Sequence, residues 1–301
     1  MPNSREIHGH MRSIKNIQQI TKAMKMVASA RLRQAQAKAA ASLPFAEKIK
    51  RLLATAVSDT TSMEKVDVED MPLLMQRPVR KTGFIVISSD KGLAGPYNSN
   101  VLKHAAVEMM DRDEYALITV GRRAKEYFVR RDYTVTQSFF GFSDRPQYKD
   151  ADEIAYAAVK LFTSGEVDEV ILIYTKFKSA LSFTPVSLHL LPVVPPKMEG
   201  GKPDAAAVKT ATASEAVIFE PAPSAVMKYL LPYYVKNEIY AALMQSAASE
   251  LGARMTAMSS ATDNADDLLR SLEISYNKAR QAGITREITE IVGGAEALQQ
   301  N

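Results

Sequence analysis

One loop-like segment has residue types that could hold a phosphate group. Residues 89–95 (SDKGLAG) directly follow a short apolar run, and a glycine-containing turn between a strand and a helix is a common phosphate site. Its glycines have Gly-x-x-Gly spacing rather than Gly-x-Gly-x-x-Gly. A second candidate, 200–203 (GGKP), lacks the Ser or Thr of a P-loop. These incomplete patterns favour a structural turn over nucleotide binding.

Other residues that could do chemistry are scattered. His8 and His10 lie on different faces of a predicted helix with no third ligand nearby, and His104 and His189 have no base or nucleophile close in sequence. The acidic group at 263–267 (DNADD) spreads over more than one helix face, which indicates solvated charge. The chain has no cysteine, so disulfides, thiolate metal sites and cysteine nucleophiles are excluded. A catalytic triad brought together only by the fold stays open.

The middle of the chain is predicted to form an open α/β sheet. Short β-branched apolar runs alternate with helical patterns there. The expected strands are 83–87, 116–120, 133–137, 170–174 and 182–191, and the expected helices are 99–110, 122–131 and 152–164. The last strand is placed at a sheet edge because Pro185 cannot donate to a ladder.

Long helices are predicted on both sides of this module. Apolar residues recur at three- and four-residue steps from Ile7 to Leu32, with Ile20 and Val27 widening the stripe, and from Leu243 to Ala279. Pro44 and Pro232 should kink or interrupt these helices. At ~1.5 Å per residue the helices would be rods of ~80 Å and ~100 Å, which need a packing partner. We therefore expect them to pair as an antiparallel coiled coil.

The charge is distributed unevenly along the chain. The 301 residues carry 38 basic and 34 acidic side chains, a net +4. Residues 1–51 hold eleven Lys or Arg against two acids, so this segment alone is +9 and the remainder is −5. Such a basic helix fits nucleic acid, anionic lipid or an acidic protein surface. Its Ile, Met and Ala composition and the lack of a DNA-docking motif favour protein.

These patterns together predict a mixed α/β fold. Its parts are a long antiparallel two-helix coiled coil, made by the N- and C-terminal helices, and a central Rossmann-like open α/β domain. The predicted segments are a first helix at 1–60, an α/β domain at 78–193, a flexible linker at 194–217 and a second helix at 218–301. We expect a soluble protein, because no apolar run approaches the ~20 residues of a membrane span and no secretory or transit signal is visible.

Four segments carry a resemblance to a known family. Residues 284–295 (ITREITEIVGGA), 20–28 (ITKAMKMVA), 89–98 (SDKGLAGPYN) and 253–265 (ARMTAMSSATDNA) resemble motifs of the gamma subunit of F-type ATP synthases, in the same order. The resemblance extends over both helices and the α/β module. It implies a non-catalytic rotor shaft that couples proton-driven turning of the membrane c-ring to conformational cycling of the catalytic beta subunits.

The resemblance also implies partners and contact residues. The partners would be three alpha and three beta subunits, an epsilon subunit and the c-ring, at the cytoplasmic face of a bacterial plasma membrane. No nucleic acid is expected, and ATP, ADP and Mg would bind the alpha and beta subunits rather than this chain. The expected rotor–stator contact residues are Met24, Lys25, Arg280, Gln281, Thr285 and Glu290. The alternatives are an α/β enzyme or a nucleic-acid-binding protein with helical arms.

Overall fold

The computed structural model describes residues 4–62, 71–112, 114–194 and 223–299. Its helices are α1 (Ser4–Ser62), α2 (Tyr97–Met110), α3 (Arg122–Val129), α4 (Tyr148–Thr163) and α5 (Pro223–Gln299), with one 3-10 turn at Pro72–Leu74. Its strands are β1 (Lys81–Ile87), β2 (Glu114–Val120), β3 (Val135–Phe139), β4 (Glu169–Ser179) and β5 (Ser182–Leu191). The predicted order of strands and helices is confirmed. The predicted linker, apart from Val194, lies outside the described residues, and the predicted segment boundaries stay predictions.

The five strands form one open sheet in the order β3-β2-β1-β4-β5. Strand β1 pairs in parallel with β2 and β4, and β2 pairs in parallel with β3. Strand β5 turns back antiparallel to β4 and lies at the sheet edge, where Pro185 needs no ladder partner. This is the predicted open α/β architecture.

Side chains alternate between the two faces of the sheet. On β1, Ile85 and Ile87 enter a core shared with α4 and α5, while Phe84 and Val86 enter a second core shared with α2 and α3. All four are at most 2% exposed. Because the central strands are buried on both faces, their sequences are continuous apolar runs.

The chain divides into two compact units. One comprises residues 1–30 and 254–301, and the other comprises residues 31–253. In the second unit, Leu32 and Ala35 of α1 pack in an apolar cluster with Met244, Ala248 and Leu251 of α5. Both long helices therefore supply residues to both units.

The expected interruptions at proline are not observed. Helix α1 continues through Pro44 and helix α5 through Pro232. Leu231 and Val235, on either side of Pro232, are buried in the core that also contains α4. Burial of this apolar face stabilises the helix against the local cost of the missing N–H.

Candidate functional site

The N-terminal part of α1 and the C-terminal part of α5 form an antiparallel pair in the first unit. Three contacts join the two helices: His8 with Tyr276, Thr21 with Thr262, and Lys25 with Ser259. As the residue number increases along α1, the number of its partner on α5 decreases. The regular stepping of these contacts shows two helices running in opposite directions. The predicted antiparallel coiled coil is confirmed.

A pair of hydroxyl groups lies inside this helix seam. Thr21 Oγ1 and Thr262 Oγ1 are 2.8 Å apart, and Thr21 is buried. Each oxygen also lies within bonding distance of a carbonyl of its own helix, Gln18 O at 3.0 Å and Met258 O at 2.7 Å. Since each hydroxyl has one proton, one donates across the seam while the other donates back along its own helix. This contact favours one register of the pair.

The two α1 residues expected to contact a stator differ in exposure. Met24 is half-buried, whereas Lys25 is exposed. Lys25 Nζ donates to Ser259 Oγ at 2.9 Å, so its ammonium is held against α5. Their contact with a partner stays a prediction.

Part of the apolar stripe of α1 faces away from the seam. Ile20 and Val27, which widen this stripe, are 58% and 51% exposed, and Ile17 is 50% exposed. At 100° per residue these three share a helix face next to the one carrying the buried Thr21 and Ala28. We call Ile17, Ile20 and Val27 the outer apolar face. Exposed apolar side chains grouped in this way are typical of a protein contact.

The C-terminal part of α5 is accessible along its length. Every residue from 280 to 295 is exposed, including the predicted contact residues Arg280, Gln281, Thr285 and Glu290. An apolar stripe at helical spacing runs through this stretch and comprises Ile284, Ile288, Ile291 and Val292, each 49–71% exposed. We call residues 280–295 the tip.

The loop after β1 is held by its own polar groups. Asp90 accepts backbone N–H bonds from Arg122 at 3.1 Å, Gly141 at 2.8 Å and Ser143 at 3.1 Å. One carboxylate thus joins the loops that follow β1, β2 and β3. Asp90 therefore has a structural role, because it holds these three loops together at the carboxyl edge of the sheet.

The same loop also contacts the N-terminus of α3, the helix that follows β2. The first amides of α3, at residues 122–124, donate in turn to Asp90 Oδ1, Ser89 O and Ser88 Oγ at 3.1, 3.0 and 2.8 Å. At Gly121 (φ 94°) an added Cβ would lie 2.5 Å from Ser88 O. At the start of α2, the helix that follows the 89–95 turn, Tyr97 N donates to Ala94 O at 3.2 Å and Ser89 N donates to Asn98 Oδ1 at 3.1 Å. Since a phosphate cradle needs free amides, these internal bonds favour the structural turn.

The histidines on the sheet module do not form a catalytic set. His104 Nε2 lies 2.9 Å from Ser187 Oγ, and that hydroxyl donates to Glu108 Oε1 at 3.1 Å. The serine proton therefore points to the carboxylate rather than to the imidazole base that would activate it. His189 Nε2 is 3.2 Å from Glu169 Oε2. Neither arrangement activates a nucleophile.

The acidic group on α5 is solvated, as predicted. Asp263, Asp266 and Asp267 are exposed; Asp266 accepts a bond from Gln18, and Asp267 lies 3.9 Å from Arg270. The part of the chain that the structure describes brings together no group of three His, Asp or Glu suited to a metal ion.

Comparison with known proteins identifies the family. A family model described as ATP synthase matches residues 3–298. The ATP synthase gamma chain of Heliobacterium modesticaldum is 43% identical over 298 residues, which cover 99% of this chain and 100% of the relative. That of Brevibacillus brevis is 42% identical over 297 residues, covering 97% and 98%. The chain belongs to the ATP synthase gamma chain family.

Solved structures show the same fold for this gamma chain. A chain of the Euglena gracilis mitochondrial ATP synthase aligns with a TM-score of 0.66 at 16% identity, covering 98% of this chain and 94% of that one. A chain of the Tetrahymena thermophila mitochondrial ATP synthase central stalk aligns at 0.57 and 23%, covering 80% and 99%. At these identities the likeness shows the architecture alone.

Family membership settles the class of function. A gamma chain is a non-catalytic subunit of the membrane-associated ATP synthase, so the rotor expectation is confirmed and the enzyme and nucleic-acid alternatives are set aside. Among the described helices, none combines the length and apolarity needed to cross a bilayer.

The outer apolar face is the feature that sequence reasoning missed. Ile17, Ile20 and Val27 belong to the apolar stripe of α1 by their spacing, and the spacing alone does not show which part of that stripe the seam buries. A helical-wheel projection would have placed them on the neighbouring face. A two-helix seam buries a narrow face, so the residues that widen the stripe are left outside it.

Proposed function

We propose that this gamma chain is the shaft of a bacterial F-type ATP synthase, and that its helix pair turns inside a ring of three alpha and three beta subunits. The observation that carries the proposal is the exposed apolar surface of that pair, formed by the outer apolar face and the apolar stripe of the tip. Such surface costs about 25 cal/mol per Å² to leave in water. A surrounding protein ring would bury it.

The coupling would be conformational. The surface of the pair is asymmetric, because the outer apolar face lies on one side of α1. A shaft of this kind presents a different surface to each of three identical sites. Differential contact of this type shifts the nucleotide affinities of the sites without covalent chemistry on the chain itself. ATP, ADP and Mg would bind the alpha and beta subunits.

We place the lower contact at Met24 and Lys25, against an acidic loop of beta. The net +9 of residues 1–51 supports this placement through charge complementarity. Lys25 is exposed and can reach a partner carboxylate by exchanging its bond to Ser259.

We place the upper contact on the tip. Arg280, Gln281, Thr285 and Glu290 are all accessible there, next to an apolar stripe that could lie against beta. Polar side chains beside apolar ones suit a surface that must be both specific and released at each step.

The remaining partners would be an epsilon subunit and the membrane c-ring, bound through the α/β module. This arrangement would hold the chain at the cytoplasmic face of the bacterial plasma membrane as a peripheral subunit.

Reconstitution tests the proposal. The full-length chain, mixed with its alpha and beta subunits and ATP, should give an assembled complex that hydrolyses ATP. A matched variant ending at Tyr276, which lacks the tip, should assemble poorly or hydrolyse ATP much more slowly. The shaft function is contradicted if alpha and beta reach full activity with a chain lacking both α1 and α5.

A further inference from the structure

The two edges of the sheet differ in how they resist pairing with another strand. Strand β5 carries Pro185, a residue that blunts an edge. Strand β3 carries no proline, and no charged residue occurs from Tyr133 to Phe140 (YTVTQSFF). An edge with β-branched and aromatic residues and no protective charge is a template for an added strand.

The outward side of β3 presents backbone groups for pairing. Phe139 O accepts from Gly121 N at 2.7 Å, on the side that faces β2. Because the backbone groups of successive residues in a strand point to opposite sides, those of Ser138 point outward. Within the described ranges, β3 ends the sheet and no strand pairs with this side.

A groove runs beside this edge. Its volume is about 610 Å³. It is bounded by β3, α4 and α5, and its lining includes Gln137, Phe139, Glu153, Tyr156, Pro232 and Lys236. Tyr156 is 71% exposed, so the groove offers an accessible aromatic surface of the kind enriched at protein interfaces.

The charged residues in the groove indicate which charge a bound partner should carry. Lys236 Nζ lies 2.5 Å from Asp152 Oδ1, and this bond raises the pKa of Lys236, so these two charges compensate each other. Glu153 stays at the rim, more than half exposed, with Lys149 only at 3.8 Å. An added chain that places Lys or Arg opposite Glu153 would match this surface.

We propose that β3 and the adjoining groove are the docking site for an extended β-strand of another subunit of the complex, carrying a basic side chain opposite Glu153. This inference rests on the proposed function, because it requires the chain to be a subunit of a larger complex. An extended strand is the occupant because it alone can bond alternate backbone groups along β3 while placing side chains in the groove.

Hydrogen exchange tests the pairing. The full-length chain is measured alone and in the complex with its alpha, beta and epsilon subunits and c-ring. The outward amide of Ser138 should exchange at least tenfold more slowly in the complex than in the free chain, whereas the amide of Phe139, which faces β2, should change little. Equal protection in both states overturns the proposal, because the edge is then either covered within the chain or never covered.

Variants identify the subunit that binds. Ser138→Pro removes the outward N–H, whereas Ser138→Ala keeps it and serves as the matched control. The proline variant should lose one subunit other than alpha and beta, as seen by native mass spectrometry, and should still hydrolyse ATP with alpha and beta. Loss of alpha and beta from both variants would instead count against the shaft function.

A second pair of variants does not disturb the strand. Glu153→Lys should weaken retention of the same subunit at least tenfold, and Glu153→Asp should retain it, since Glu153 is exposed and its replacement should not affect folding. Full retention in Glu153→Lys and Ser138→Pro overturns the proposal. A free chain that dimerises through β3, with Ser138→Pro monomeric by light scattering, also overturns it in favour of a second copy.

Discussion

Arg31 of α1 forms an ion pair with Asp144, which lies in the segment between β3 and α4. The same Asp144 oxygen lies 3.4 Å from Lys91 Nζ in the loop after β1. One carboxylate therefore joins the long helix to two loops at the carboxyl edge of the sheet. Because Asp144 is 17% exposed and Arg31 30%, the pair is partly shielded from water.

Asp144→Asn should destabilise the α/β unit. Removing the charge from the shared carboxylate weakens two ion pairs, and we expect a loss of about 1 kcal/mol in the free energy of unfolding. Urea unfolding of the full chain measures it. Asp132→Asn, which keeps a residue suited to the positive φ of 60° at that position, is the control and should leave the free energy unchanged. Equal stability of Asp144→Asn and the original chain would show that the bridge contributes nothing.

Reversing exposed charges on α1 should impair coupling more than folding. Lys22, Lys25 and Arg33 are exposed, so changing all three to Glu should leave the free energy of unfolding within about 1 kcal/mol. Arg31 is left intact because it pairs with Asp144. In the assembled enzyme, ATP-driven proton pumping should fall several-fold relative to ATP hydrolysis. The triple Gln variant, which only removes charge, should fall less; unchanged pumping in the triple Glu variant contradicts the basic-contact proposal.

Ile288→Asp should affect the assembled enzyme and not the isolated chain. Ile288 is 56% exposed in the tip, so the substitution leaves no cavity in the free chain. If the apolar stripe lies against beta, a carboxylate there must be desolvated, and ATP hydrolysis by the complex should fall at least tenfold. Helix content and Tm of the free chain give the folding control. Glu287→Gln on the same turn should keep near-normal hydrolysis, and normal hydrolysis by Ile288→Asp would exclude burial of this stripe.

Asp168 should make the α/β unit sensitive to acid. Its Oδ2 accepts backbone N–H bonds from Arg80 at 2.9 Å and Lys81 at 3.0 Å, which hold the pKa of Asp168 below its usual value of about 3.9. Because the pKa of Asp168 is lower in the folded state than in the unfolded state, the ionised carboxylate stabilises the fold above about pH 3.9. This stabilisation is lost as the pH falls through the lowered pKa. Asp168→Asn should therefore unfold at lower urea than the original chain at about pH 6, and the two midpoints should converge as the pH falls through the lowered pKa of Asp168. A constant difference between the midpoints would contradict this assignment.

A feature could be predicted from the sequence when the residues that cause it are close together in the chain. Strands such as 170–174 were found because burial on both faces leaves an apolar run in the sequence. Pro232 was misjudged because Leu231 and Val235 are buried against elements distant in sequence. The role of Asp90 could not be predicted, since its three amide donors come from loops that only the strand order brings together. Lys25 and the four predicted contact residues of the tip are exposed and Met24 is half-buried, and their partners remain proposals.

The exposed tip has a consequence for how a cell must make this protein. A copy released from the ribosome without its companions carries Ile284, Ile288, Ile291 and Val292 in water. Chaperones and proteases recognise such surface in the same way as that of an unfolded chain. The exposed apolar stripe of the tip should therefore lead to degradation of any copy that has not assembled. Cells should hold the supply of this chain close to that of the subunits around it, with surplus molecules turned over quickly.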